Sequence, residues 1–193
     1  HTAGSAICSP RNKPNALLKR LAIPDDDFAL LAAIGGDCAG ALTILPPDQV
    51  PTLHWETTPL PLDKLAQWAA FRERYALMDS DENQPRPRLS LAGAQDKNPV
   101  LLENNTLKLP WGTTPSSHIL KFAVDGRDLI ILNELFLNTL ARLAGLSCPI
   151  TTLGEVEGYP YLLVERYDRT RVGTAKLQRI HQEDFGQAMG LSR

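Results

Sequence analysis

Ser90-Leu-Ala-Gly-Ala-Gln-Asp-Lys97, followed shortly by Thr113-Thr-Pro-Ser-Ser-His-Ile-Leu-Lys121, decides how this chain is read. The first stretch sets a small-residue turn, Ala92 to Asn98, between two strand-like runs, Arg88–Leu91 and Val100–Glu103. Successive backbone N–H groups in such a turn can cradle phosphate oxygens. Ala92, Gly93 and Ala94 keep side chains out of the way, while Gln95 and Lys97 add donors. The glycine patterns of the P-loop and of dinucleotide folds are missing, and one glycine equally suits a plain hairpin turn. The second stretch carries a single lysine, Lys121, among apolar residues of a predicted strand His118–Phe122. Lysine is rarely buried without a partner.

Downstream, Leu129 to Ala144 reads as the longest helix, stopped at Gly145. Leu129, Leu132, Phe136, Leu140 and Leu143 form one apolar stripe, and Ile130, Leu137, Ala141 and Ala144 a second. At about 100° per residue Glu134 falls within the second stripe. A helix apolar on two sides is expected to be sandwiched. A carboxylate on its inner face then needs a cation, and Lys121 is the candidate. In kinases a strand lysine held by a helix glutamate is aimed at nucleotide phosphates.

The remaining pieces fit an α+β fold: an antiparallel sheet with one central helix. Asn104-Asn105 reads as a tight turn into a strand Thr106–Leu109, and Trp111–Ser117 as loop. Thr151–Val156, the turn Glu157-Gly158 and Tyr161–Arg166 make another strand pair, and His181–Met189 a helix ended by Gly190. The connections are too short for parallel crossovers, which a doubly wound sheet would need. Toward the N-terminus, Asn15–Ala22 and Phe28–Ile34 read as helices, Ala39–Leu45 as a strand and Pro51–Pro61 as extended chain. Asp63 is a suitable N-cap for a helix from Lys64 to about Leu77. Met78–Pro87 is polar, holds two prolines and divides the chain into residues 1–84, a small, mostly helical subdomain, and residues 85–193.

Composition narrows the function classes. The 193 residues are 43% hydrophobic and 22% charged, with a net charge of -2. That is globular, and it lacks the basic stripe of a nucleic-acid reader. Arg166, Arg169 and Arg171, interrupted by Asp168, read as a solvated charged edge. The 3 cysteines are far apart and form no pair, so neither a disulfide framework nor a metal site is expected. No apolar run is long enough to span a membrane and no signal peptide opens the chain, so a cytoplasmic protein is expected. In Tyr161-Leu-Leu-Val-Glu-Arg-Tyr-Asp-Arg169 an apolar strand runs into charged residues, a geometry suited to a hinge whose backbone binds an adenine edge. His54, His118 and His181 read as caps or packing groups, and Trp55, Trp68 and Trp111 as packing groups.

Together these stretches resemble the HipA family of bacterial serine/threonine kinases, the toxins of toxin–antitoxin modules. The resemblance rests on Gly36-Asp-Cys-Ala-Gly-Ala-Leu42, Leu89–Lys97, Thr114–Lys121, Asn133-Glu134, Val164–Arg169 and His181–Gly190, in order, from about Phe28 onward. It implies a kinase-like N-lobe and binding of ATP with Mg²⁺. It places the phosphates on Ala92, Gly93, Ala94, Gln95, Asp96, Lys97 and Lys121, and the adenine near Glu165, Arg166 and Tyr167. Glu134 would orient the lysine, and Ser90 matches a serine that family members autophosphorylate. The resemblance further implies a HipB-like helix-turn-helix antitoxin as partner, DNA association mainly through that antitoxin, and a protein substrate from translation such as an aminoacyl-tRNA synthetase. No segment resembles the family's catalytic loop or metal-binding aspartate. The chain therefore reads as an N-terminal portion, expected to lack kinase activity alone. A different reading is a non-catalytic module that docks the antitoxin or acts as a decoy.

Overall fold

The computed structural model describes residues 55–71, 97–111, 113–123, 127, 129–172 and 176–190, with isolated positions 24, 26, 29, 41, 47, 48 and 50. The sequence-based expectations for Asn15–Ala22, Ala39–Leu45, Met78–Pro87, Ser90 and Ala92–Asp96 lie outside or almost wholly outside these residues. Of the acidic run before the helix expected at Phe28–Ile34, Asp26 accepts a hydrogen bond from the Ala29 amide at 3.0 Å, the geometry of an N-terminal cap.

Six antiparallel strands form one sheet in the order β1-β3-β2-β4-β6-β5. They are β1 (Glu56–Pro59), β2 (Asn98–Glu103), β3 (Thr106–Trp111), β4 (His118–Phe122), β5 (Thr151–Val156) and β6 (Tyr159–Glu165). Two tight turns set the register. Asn104 and Asn105 take φ of 50° and 59°, and Glu157 and Gly158 take 49° and 83°. Positive φ at both central positions matches the twist of adjoining strands, so β2–β3 and β5–β6 close as two-residue hairpins. A separate hairpin joins β7 (Arg169–Val172) to β8 (Lys176–Arg179).

Helices cover both faces of the sheet. Helix α1 (Leu62–Phe71) packs its Leu65, Ala66, Trp68 and Ala69 against Val100, Leu109, Trp111, Leu120, Phe122, Val156 and Leu163. Helix α2 (Ile130–Leu143) packs Ile131, with Ile130 and Leu135, against Leu162, Val164, Ile119 and Ala123. Because alternate residues of a strand face opposite sides, Leu120 and Leu163 look to α1, whereas Ile119, Lys121, Leu162 and Val164 look to α2. Strand β1 and helix α1, from the N-terminal side of Met78–Pro87, thus share this sheet and its core with the strands that follow. A helix ends the described residues, α3 (Phe185–Ala188).

Four expectations change. Trp111 is the buried end of β3, and its Nε1–H donates to Thr58 Oγ1 at 2.8 Å, which fastens the edge strand β1. Asp63 lies inside the first turn of α1, where its charge favours the helix N-terminus, instead of capping it. The helix expected over His181–Met189 is confined to Phe185–Ala188. Most informative is α2, which is not sandwiched. It meets the sheet along Ile131, Glu134, Leu135, Asn138 and Ala141, a stripe at i, i+3, i+4, i+7 spacing. Leu129, Leu132, Phe136, Leu137, Leu140 and Leu143 are exposed. The contact stripe carries polar residues because the sheet face opposite presents a lysine. The helix stops as expected: Leu146 N–H reaches Ala141 O, Gly145 N–H reaches Arg142 O, and Gly145 has φ of 82°, the Schellman arrangement.

Candidate functional site

Strand β4 carries Lys121 to the middle of the sheet, and α2, entering after a short connection, lays Glu134 over it. Lys121 Nζ donates to Glu134 Oε1 at 2.5 Å. The lysine side chain is 11% exposed and the glutamate 26%, so the pair is half-buried and still open at one side. The register adds a second cation. Asn98 pairs with Leu120, and Lys97 is the residue just before β2, where continuing the register would set it opposite Lys121. Lys97 is partly exposed and has a partner of its own. Of the residues predicted to bind phosphates, Lys121 is the one held by Glu134, and Lys97 immediately precedes the strand beside it. Ala92, Gly93, Ala94, Gln95 and Asp96, which would complete the cradle, are outside the described residues, as is Ser90.

Glu165, Arg166 and Tyr167 follow β6. Lys121 pairs with Leu162, so Glu165 lies three residues, roughly 10 Å, further along the neighbouring strand. The face between them, Ile119, Leu162 and Val164, is covered by Ile130, Ile131 and Leu135 of α2. Arg166 proves to be internal: its N–H donates to Ser117 O at 3.0 Å, and its side chain is buried. Tyr167 is 71% exposed, its hydroxyl bonded to Gln182.

Of the charged run after β6, Arg171 is exposed as the sequence suggests, whereas Arg166, Asp168 and Arg169 turn inward, contrary to that reading. Arg166 donates Nε to Asp168 Oδ1 at 2.9 Å and Nη2 to Oδ2 at 2.7 Å, a bidentate fork. Its Nη1 reaches Ser116 Oγ at 3.2 Å. Arg169 donates Nε to Ser116 O and Nη1 to Asp168 O, both at 2.8 Å, and its Nη1 also lies 2.8 Å from Asp168 Oδ2. Burial alone would raise the Asp168 carboxyl, but the hydrogen bond and charge of Arg166, then the charge of Arg169, outweigh it and hold the group below the ordinary carboxylate range. Burial, then the neighbouring Arg166, lower Arg169 to about 10.

The Thr-Pro-Ser-Ser run before β4 serves the same end. Thr114 Oγ1 accepts from Glu56 N–H at 2.8 Å and donates to Glu56 O at 2.9 Å. Ser117 Oγ accepts from Leu102 N–H at 2.9 Å and meets His118 Nδ1 at 2.8 Å. Burial holds His118 below its ordinary 6.5, with Glu165 opposing and Arg171 adding to the shift. Sequence reasoning missed these hydroxyls. The available signal was four consecutive small polar or proline residues leading directly into an apolar strand, a place where buried hydroxyls must find backbone partners. Among the described residues no group of three or more His, Cys, Asp or Glu could hold a metal ion, and no helix is long and apolar enough to cross a membrane.

Comparison with known proteins places these features in context. A family model described as "HipA-like C-terminal domain" matches residues 89–193. A protein of Sinorhizobium fredii named "Putative kinase Y4mE" is 42% identical over 171 residues, covering 87% of this chain and 40% of the relative. "Serine/threonine-protein kinase toxin HipA" of Shewanella oneidensis is 29% identical over 186 residues, covering 95% of this chain and 42% of the relative. A solved complex of HipA, HipB and operator DNA from that organism matches with a TM-score of 0.69 at 28% identity, over 92% of this chain and 41% of the solved one. The chain thus spans about two-fifths of the length of the curated relatives it matches.

Proposed function

The chain belongs to the HipA family, and from that premise we propose that it is the nucleotide-binding part of a HipA-like serine/threonine protein kinase. The observation that carries the reading is the half-buried Lys121–Glu134 pair, a strand lysine held by the helix that follows its strand. Glu134 fixes the direction of the ammonium, and Lys121 and Lys97 offer positive charge to the phosphates of ATP. The turn at Glu165–Tyr167 receives the base. A set of lysines on one open face fits a polyphosphate, and Mg²⁺ entering with ATP would neutralise the charge that builds on the transferred phosphoryl group. The roles of Ala92 to Asp96 and of Ser90 rest on sequence alone.

For the full-length protein, the reading extends to phosphorylation of a translation protein such as an aminoacyl-tRNA synthetase. It also extends to a HipB-like antitoxin through which DNA is engaged. Support comes from the relative named as a kinase toxin and from the solved assembly with HipB and operator DNA. Calorimetric titration with a non-hydrolysable ATP analogue and Mg²⁺ tests the binding claim. Saturable binding is expected, weakened at least about tenfold in Lys121→Met, the effect of losing one charge-assisted hydrogen bond. Absence of binding, or equal binding by the variant, would overturn it.

A further inference from the structure

The face of α2 turned away from the sheet is apolar from end to end. Leu129 at the N-cap, then Leu132, Phe136, Leu140 and Leu143, are 64%, 38%, 63%, 51% and 81% exposed. The helix holds two charges, Glu134 and Arg142. The first is turned to Lys121, and the second stands in the last turn. The exposed neighbours of the stripe, Asn133 and Thr139, are neutral. A helix face left to water ordinarily carries charge. At about 200 Å² for a fully exposed leucine or phenylalanine, the five residues leave roughly 600 Å² of apolar surface open, the upper end of what a monomer shows as one patch. Two such faces together bury about 1,200 Å², the lower bound of a specific interface.

The spacing of the stripe says what fits it. Successive members stand 3, 4, 4 and 3 residues apart, a mean of about 3.5, the period at which helices pack along a shared seam. That spacing also reads the same from either end. Laid antiparallel on a second α2, with Phe136 against Phe136, the stripe sets Leu132 against Leu140 and Leu129 against Leu143. A two-fold axis demands this self-complementarity, residue i meeting j while j meets i. An unrelated partner requires no such symmetry of the helix. Antiparallel packing also opposes the two helix dipoles.

We propose that α2 is a dimerisation helix, and that the partner its outer face fits is a second copy of this chain, related by a two-fold axis through Phe136. Glu134 lies about 200° around the helix from Phe136. The dimer therefore leaves the Lys121–Glu134 pair uncovered, and self-association is separable from nucleotide binding.

Sedimentation equilibrium of the unaltered chain, Phe136→Glu and Leu137→Glu tests this. The unaltered chain is expected to dimerise with a Kd of about 1–100 µM, the weak end for an interface of this size. Phe136→Glu sets two carboxylates against each other on the axis and should weaken the dimer at least about hundredfold. Leu137 is 61% exposed, as open as Phe136, but lies about 100° off the stripe. Leu137→Glu should change the Kd by less than about threefold. If Phe136→Glu does not fold, Leu143→Glu, at the end of the helix, carries the test with a loss of at least about tenfold. Orientation is read by oxidation of cysteine variants. Phe136→Cys should cross-link to itself beyond the level of the unaltered chain, and a mixture of Leu129→Cys and Leu143→Cys should give the mixed pair over either like pair. An unaltered chain that stays monomeric at about 100 µM overturns the proposal. If Phe136→Cys in that monomer is also slow to react with a maleimide, another part of the chain is the occupant. A dimer that Phe136→Glu leaves intact, or that Leu137→Glu weakens equally, overturns the proposal too, as does preference for like cross-linked pairs.

Discussion

Removing either member of the Lys121–Glu134 pair should destabilise the fold unequally, and removing both should cost less than the sum. Two unit charges about 3 Å apart at an effective dielectric of about 20 attract by roughly 5 kcal/mol, and desolvation cancels most of that. Exposed pairs are worth about 0.2–1 kcal/mol, and breaking a fully buried one costs about 3–5. With exposures of 11% and 26% and a separation of 2.5 Å, this pair belongs between the two, with a coupling of about 1–2 kcal/mol. Glu134→Gln should be the worse single change, because it strands the more deeply buried charge, whereas Lys121→Met leaves a carboxylate that water can reach. Urea unfolding of the two single variants and the double variant gives the coupling directly. A cycle that closes to within about 0.3 kcal/mol of additivity would mean the groups act independently. The pair could then not be the device that orients the lysine.

Asp168 should make the protein acid-labile. Its folded-state carboxyl lies below the ordinary 3.8. The stability it contributes is therefore complete above the unfolded value, near 4, and is lost as pH falls through the folded one. Urea midpoints between pH 5 and 2.5 should drop more steeply for the unaltered chain than for Asp168→Asn, and parallel curves would refute the linkage. Gly154 pairs with Tyr161, and a Cβ there would overlap the tyrosine ring. Gly154→Ala should destabilise by about 1–3 kcal/mol and be partly rescued by Tyr161→Leu. Additive effects in chemical denaturation would show the close approach to be unimportant.

The sheet was legible because its strands are short apolar runs punctuated by Asn104-Asn105 and Glu157-Gly158, where turn chemistry is unambiguous. The Lys121–Glu134 pair was legible by elimination, since an inward carboxylate on an apolar helix needs a cation. The β7–β8 hairpin was not legible. Arg169-Thr-Arg-Val172 and Lys176-Leu-Gln-Arg179 lack the alternation that marks a half-buried strand. The Arg166–Asp168–Arg169 network was misread because clustered charges in a sequence look solvated, and only tertiary contact with Ser116 buries them. Helix α2 misled in the opposite sense. Its two apolar stripes promised burial on both sides, yet the sheet meets the polar-laced line of Ile131, Glu134, Leu135, Asn138 and Ala141, and the leucine-rich stripe is left exposed.

The most direct test of the central claim, that Lys121 stands where a nucleotide's phosphates bind, is labelling with an acyl phosphate of ATP, which hands its acyl group to a lysine amine lying against the terminal phosphate. Peptide mapping should find the modification on Lys121 or Lys97, suppressed by excess ATP. Equal modification of Lys64 and Lys108, indifferent to ATP, would contradict the account.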